Sequence, residues 1–540
     1  MQVARLARTV VHLRPGQILG RALHKAPRAR PHLRPAPAGR ARVAPWRSPA
    51  ARAPSMSGPD HVRFLNEPGE IGAPDAWNDS RRPLLWLYNL HYFDDLAATG
   101  AAQRADWHRR LIGRWIDENP PGDGVGWEPY PTSLRIVNWI KAAAGGLELT
   151  PSAVASLAVQ ARWLAGRLET HLLGNHLLAN AKALVFAGLF FEGPEAERWR
   201  AVGLGVYADQ LPEQVLADGG HFERSPMYHA LILEDLLDLA NLATIYGDGD
   251  AFFRGLPATV AAMGAWLKAM SHPDGRIGFF NDAAFGIAPE PTDLDAYGRR
   301  LGLPAFAEPR DGLTHLSASG YVRLQAGPAV ALFDAAPVGP DYLPGHAHAD
   351  TLSLELSVGG ARAVVNGGTS VYGLGAQRHA ERSTAAHSTV EIDGENSSEV
   401  WSGFRVGRRA RVLDAAVEDR AGVLIAEAAH DGYRWRPGRP VHRRTLAMAA
   451  DSLTITDRID GTFGQAVARF HLAPGVTAGL DPDGRSGALR LPDGRAVAWR
   501  AGARARVEAS EWRPEFGRRL PTHQLVVPLC GPTLETVFTW

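Results

Sequence analysis

The chain is poor in the residue types that mark several large functional classes. A single cysteine, Cys530, stands among 540 residues, which excludes an intrachain disulfide and any cysteine-rich zinc site. Opposite charges nearly cancel, leaving a formal net charge of +1, so no overall field points to nucleic acid or to a membrane surface. No apolar run is long enough to span a bilayer. Lysine is scarce, four of the 58 basic residues; we read this mostly as coding bias, although arginine suits carboxylate and sulfate recognition. There is no GxSxG elbow, no Walker loop and no dinucleotide fingerprint. The opening stretch, MQVARLARTVVHLRPGQILGRALHK, is basic but lacks a continuous apolar core, so it does not read as an ordinary signal peptide.

The length predicts two domains or more. Residues 1–60 form a basic segment rich in Ala, Pro and Arg, expected to be partly disordered. Within it, 26–60 reads as a poorly ordered linker, with polyproline-like stretches or a basic contact arm as alternatives. Residues 61–310 read as one helical domain: from Pro83 to about Leu303 the apolar spacing is helical, as in LLWLYNLHYFDDLAA, SLRIVNWIKAAAGGL and YHALILEDLLDLANLATIY. Successive helix pairs with aromatic faces predict an α/α toroid or solenoid. From about residue 311 to 540 the pattern changes to short β-rich runs such as GYVRLQAG, TLSLELSV and LTITDRID, separated by turn residues. That is a domain of stacked antiparallel sheets, with its boundary near 304–314 and a cleft expected where the halves meet.

Four polar clusters need a reason, because unpaired polar groups are costly to bury. GNHLLAN places Asn175 and His176 at the start of a helical run. DGGHFERSPMYH holds His221, Glu223, Arg224, Tyr228 and His229. PGHAHAD sets His346, His348 and Asp350 at alternate positions entering a strand-like run, where they would share one face. ERSTAAHSTVEIDG brings Arg382 and His387. WEPYPTSLR adds Trp127, Glu128, Tyr130 and Arg135, and also reads as a helix start with a Thr or Ser cap. Each has a plain structural reading: Asn175 as a helix cap, Tyr228 as a half-buried tyrosine, His387 as a core histidine. Two clusters lie in the helical half and two in the sheet half, so together they describe a composite site across the cleft. HAHAD also has the spacing of a metal half-site, with His387 and Asp350 as further ligands. An amide, a phenol and imidazoles equally suit proton abstraction next to a carboxylate, which in a uronate sugar is β-elimination.

The segments WEPYPTSLRIVNW, GNHLLANAKALVFAGLFF, DGGHFERSPMYHALILEDLLDL, GHAHADTLSLELS and RSTAAHSTVEIDGENSSEVWSGFRVGRRA resemble the heparinase II/III superfamily of polysaccharide lyases, which includes related alginate lyases. The resemblance implies an N-terminal α/α toroid, an incomplete barrel, followed by a C-terminal antiparallel β-sandwich, and an anionic polysaccharide substrate. It implies Asn175 as the carboxylate-neutralising amide, His176 as its assistant or as base, Tyr228 as general acid and His346 as the sheet domain's catalytic histidine. It gives His348 and His387 as ligands of a structural zinc; Asn366 stands where the family has an Asp ligand, which leaves two alternatives, Asp350 as the compensating donor or a hydrogen-bond network without metal. Arg224, Arg382 and Arg135 are expected to hold anionic sugar groups, and Trp127 or Tyr130 to stack on a sugar ring. The start RTVVHLRPGQILGRALHK resembles a subgroup of bacterial surface-polysaccharide production, which implies the cell envelope or periplasm, with the cytoplasm as alternative. Two other functions stay open: a glycosidase using Glu223 and Asp350 as its carboxylate pair, and a polysaccharide-binding protein without turnover.

Overall fold

The computed structural model describes residues 2–24 and 31–540. Two short helices open the chain, α1 (Gln2–Val10) and α2 (Pro15–His24), and a three-stranded sheet follows, β1 (Met56–Gly58), β2 (His61–Phe64) and β3 (Glu67–Glu70). The helical domain comprises α3 (Leu84–Tyr92), α4 (Ala105–Glu118), α5 (Pro129–Ala144), α6 (Pro151–Ala165), α7 (Gly174–Phe190), α8 (Pro194–Gln214), α9 (Pro226–Tyr246), α10 (Ala251–Ala269) and α11 (Pro291–Arg300). α3, α5, α7 and α9 follow one another around an interior space, and α4, α6, α8 and α10 back them: an incomplete α/α toroid. Trp77, Trp115 and Trp139 are fully buried among the helices and Trp86 against the three-stranded sheet, each contributing roughly 1.5–3 kcal/mol of apolar burial.

Local sequence sets where the inner helices begin. α9 starts on Ser225, whose hydroxyl accepts the Tyr228 N–H at 3.2 Å, has Pro226 in its first turn, and stops at Gly247 in the left-handed region. α5 starts at Pro129 after Glu128; neither Thr132 nor Ser133 caps it. α7 is entered through Leu173 and Gly174 at φ 61° and 53°. A side chain at Gly174 would meet Leu343 and, at 2.8 Å, a carboxylate oxygen of Glu223.

The second domain is a β-sandwich. A nine-stranded sheet opens as a meander, β4 (Gly312–Leu316), β5 (Tyr321–Ala326), β6 (Ala329–Asp334), β7 (Leu354–Val358) and β8 (Ala361–Val365). The strands Ala466–Leu472, Arg518–Pro528 and Arg506–Glu515 extend it, and Val390–Ile392 pairs beside them. The facing eight-stranded sheet begins with four consecutive hairpin strands, from Val412–Arg420 to Ser452–Asp460, and takes in the last strand, Thr533–Thr539. In β7, Leu354, Leu356 and Val358 join the sandwich core. The alternate residues, Glu355 and Ser357, face the helical domain, where each bonds His272 at 2.7 Å. Both faces of this strand are buried, which explains the polar alternation of TLSLELSV.

Two expectations are corrected here. PGHAHAD does not enter a strand: residues 344–350 are turn and irregular backbone ahead of β7, so His346, His348 and Asp350 do not share a face. The segment expected as a loose linker is, from residue 31 to 55, an extended strap on the helical domain; residues 26–30 lie outside the described residues. Arg40 N–H bonds Phe190 O and Val43 N–H bonds Ile245 O, both at 2.8 Å, and Arg52 pairs with Glu234. α1 and α2 dock on the sheet domain. Arg8 pairs with Glu399 at 2.7 Å, and Gln17 donates to Tyr342 O at 3.1 Å.

Candidate active site

The space inside the toroid opens toward the sandwich as a cavity of about 870 Å³. Along each inner helix the lining residues recur at three- and four-residue steps, for example Tyr130, Ser133, Val137 and Lys141 on α5, or Asn175, Ala179 and Lys182 on α7. This is one helix face turned inward. At the mouth the first turns of α5, α7 and α9 present Tyr130, Asn175, His176 and Tyr228, and the sheet domain presents His346 and Tyr372.

The His176 and Tyr130 rings lie 4.4 Å apart. His176 Nδ1 donates to Glu169 at 3.1 Å, and the other Glu169 oxygen accepts from Asn180 at 3.0 Å. Burial opposes a charge on His176, but Glu169 outweighs it and raises the imidazole pKa. His176 therefore favours the imidazolium form beside the Asn175 amide. Tyr228 stacks on His346 with ring centroids 3.8 Å apart. Its hydroxyl shares a hydrogen bond of 2.9 Å with Tyr372. Burial first, then Tyr372, pushes the Tyr228 phenol well above its usual pKa, so it stays protonated. His346 Nδ1 donates to Glu223, a carboxylate that His346 keeps ionised against the cost of burial. Both histidines thus hand Nδ1 to a buried carboxylate, and Nε2 is left for chemistry.

The structure separates the remaining predicted residues from this site. Arg135 lies five residues beyond Tyr130 on α5 and points away from the cavity; it is fully buried over the Trp115 ring and donates to Gln160 at 2.9 Å. Trp127 is buried against Trp115 and Trp163 and donates to Asn119 O. Arg224, at φ 57°, bonds Ser319 O at 2.9 Å. Arg382 bonds the carbonyls of Ala347 and Gly403. These four hold backbone and core together and do not line the cavity. Glu223 and Asp350 do not form a hydrolytic pair either. Glu223 serves His346 and the Asn175 N–H, while Asp350 accepts from the Asn281 N–H at 2.8 Å, and neither lines the cavity.

The zinc expected on His348, His387 and Asp350 does not fit the donors. His348 is hydrogen-bonded through Nε2 to Asp282 at 2.8 Å and through Nδ1 to His387 at 3.1 Å. Asp282 is already matched by the buried Arg378, and the Asn366 amide bonds Ser353 and the Ser388 N–H. Among the described residues no three His, Cys, Asp or Glu side chains converge on a point. Burial lowers the His348 pKa to about 4 and also lowers that of His387, as suits a neutral hydrogen-bonded network.

Sequence reasoning missed three supporting groups. Tyr372 sits in the glycine-flanked loop VYGLG, which carries no periodic signal. Glu169 is a lone carboxylate in the loop ahead of His176 and Asn180, and Asp282 is a lone carboxylate whose partners His348 and Arg378 are distant in sequence.

Comparison with known proteins agrees with this architecture. The family described as heparinase II/III N-terminus matches residues 114–288, and that described as heparinase II/III-like, C-terminal, matches residues 308–540. FtsZ-localized protein C of Caulobacter vibrioides is 28% identical over 80% of this chain and 76% of its own length. A heparin-sulfate lyase of Pedobacter heparinus is 26% identical over 52% of this chain and 47% of its own. A crystal structure of heparinase III shares the fold, with a TM-score of 0.68 and 17% identity over 88% of this chain and 79% of that one. The heparan sulfate lyase HepC of Pedobacter heparinus shares it at a TM-score of 0.58 and 20% identity, covering 89% and 81%.

Proposed function

Because the chain belongs to the heparinase II/III family, we propose that it is a polysaccharide lyase that cleaves a uronate-containing polymer by β-elimination. The observation that carries this is the cavity mouth, where Asn175, a charge-favouring His176 and the stacked pair Tyr228 and His346 line one space, with Glu223 bonding both the Asn175 N–H and His346. Asn175 and His176 bind the uronate carboxylate and stabilise the enolate-like charge that develops. His346 Nε2 takes the C5 proton, the electron pair forms the C4–C5 double bond, the C4–O bond breaks, and Tyr228 protonates the leaving oxygen. Acid and base stacked side by side suit a syn elimination, in which proton and leaving oxygen lie on one face of the ring. We take the substrate to be a surface polysaccharide of the producing bacterium, in keeping with the N-terminal resemblance.

The test is ultraviolet absorbance during incubation with a panel of uronate polymers, including the producer's extracellular polysaccharide. Rising absorbance from a conjugated uronate supports the proposal. New reducing ends without absorbance overturn it. A second reading, polymer binding without turnover, predicts retention on the polymer with no new ends.

A further inference from the structure

The positive charges that line the cavity are largely matched within it. Lys141 and Lys182 are held by Asp238 at 2.8 and 2.7 Å, Lys182 also by Asp235 at 2.7 Å, and Arg52 by Glu234. Beside the cavity lies an open groove of about 590 Å³ of the opposite character. Arg5, His379, Trp401 and Arg405 line it, with Leu374 and the neighbouring backbone, and no carboxylate is among its lining residues. The Arg405 guanidinium lies 5.0 Å from the centre of the Trp401 ring, and no carboxylate among the described residues pairs with it. Arg5 shares Glu399 with Arg8 and Arg408, three cations on one carboxylate. The exposed His379 has its pKa lowered by partial burial and then by Arg382 and Arg5, a sign of the positive field there.

The groove and the cavity are neighbours. In the helix Ala376–Glu381, Gln377 lines the cavity and His379 the groove. Phe404 lines the cavity while Gly403 and Arg405 line the groove. The partition is thin because Gly403 packs on Gly373: a side chain at Gly403, whose φ is 70°, would come within 2.5 Å of the Gly373 carbonyl oxygen. Leu374 (82% exposed) and Phe404 (41% exposed) form an apolar rim between the two spaces.

Guanidinium groups grip carboxylates and sulfates with paired hydrogen bonds, and an indole face accepts the apolar face of a sugar ring. We propose that this groove is a further binding subsite for an anionic saccharide, continuous over the Leu374–Phe404 rim with the chain held in the cavity. The subsite rests on the polysaccharide reading above and assigns a role to α1, which supplies Arg5.

The test uses the full chain carrying Tyr228→Phe, which keeps the ligand intact, with an unsulfated oligoglucuronate hexasaccharide as probe and cellohexaose as neutral control. Adding Arg405→Ala and His379→Ala should weaken hexasaccharide binding about tenfold, the loss of one or two charge-assisted contacts, and flatten its salt dependence. Arg405→Lys should recover only part of the affinity, because lysine keeps the charge but loses the paired hydrogen bonds. Hydrogen exchange over residues 373–379 and 401–406 should slow with ligand in the Tyr228→Phe protein but not after the two added substitutions. Unchanged affinity, protection confined to the cavity helices, or binding no tighter than that of cellohexaose would overturn the subsite. Groove protection in a wild-type protein without turnover would overturn the lyase reading and leave the subsite standing; turnover without groove protection would do the reverse.

Discussion

His346 and His348 stand two residues apart in one motif and serve opposite ends of the same wall. His346 reaches the cavity, backed by Glu223 and stacked on Tyr228. His348 lies behind it, buried between Asp282 and His387. The two layers meet through Arg378, which pairs with Asp282 and lies 4.8 Å from the centre of the Tyr372 ring. Residue type and spacing are nearly the same for the two histidines; what the second nitrogen of each ring meets decides its use. The front layer leaves one nitrogen for a substrate, and the back layer spends both on protein.

The front layer carries the largest expected effects. Tyr228→Phe and His346→Ala should each lower kcat by about a thousandfold or more, as expected when a proton-transfer group is lost, with a thermal midpoint close to wild type. Loss of midpoint together with activity would place these residues in the back layer. The reverse holds for Asp282→Asn. It strands the buried Arg378 and should cost about 3–5 kcal/mol of stability, read as a lower denaturant midpoint. Unchanged stability would show that the network is not structural.

pH sharpens the same contrast, because the layers respond with opposite sign. The unfolded chain protonates His348 near its ordinary value of 6.5 and the folded protein only at about 4. Its contribution to stability is complete above pH 6.5 and is lost as pH falls toward 4, about 3 kcal/mol in all. His176 has a raised pKa, so its contribution is complete below pH 6.5 and fades as pH rises through the folded value. Denaturation curves of His348→Gln and His176→Gln from pH 4 to 8 should therefore diverge from wild type at opposite ends. The smallest effect is expected from metal: chelation or added zinc should leave the midpoint unchanged, and a shift of several degrees on chelation would restore the zinc site.

Much of this was legible in the sequence. The change from helical to alternating apolar spacing marks the two architectures, and Tyr130, Asn175, His176, Tyr228 and His346 reach one cavity. The arginines were not legible. Arg135 shares α5 with Tyr130, but five residues turn it well over a quarter-circle away from the cavity face. Arg224 and Arg382 sit within conspicuous motifs because they tie backbone carbonyls together, and sequence alone does not distinguish that use from ligand binding. Tyr372 was missed because a glycine-flanked loop gives no period to read. The two-residue spacing of HAHAD suggested a strand, but the segment is irregular and sends its histidines to different layers.

The central claim is that the front layer breaks the polymer without water. Mass spectrometry of the products from a defined oligouronate tests it most directly. Elimination yields two fragments whose masses sum to that of the substrate, one carrying the unsaturated uronate. Fragments that together gain one water would contradict it and make the cavity a hydrolase.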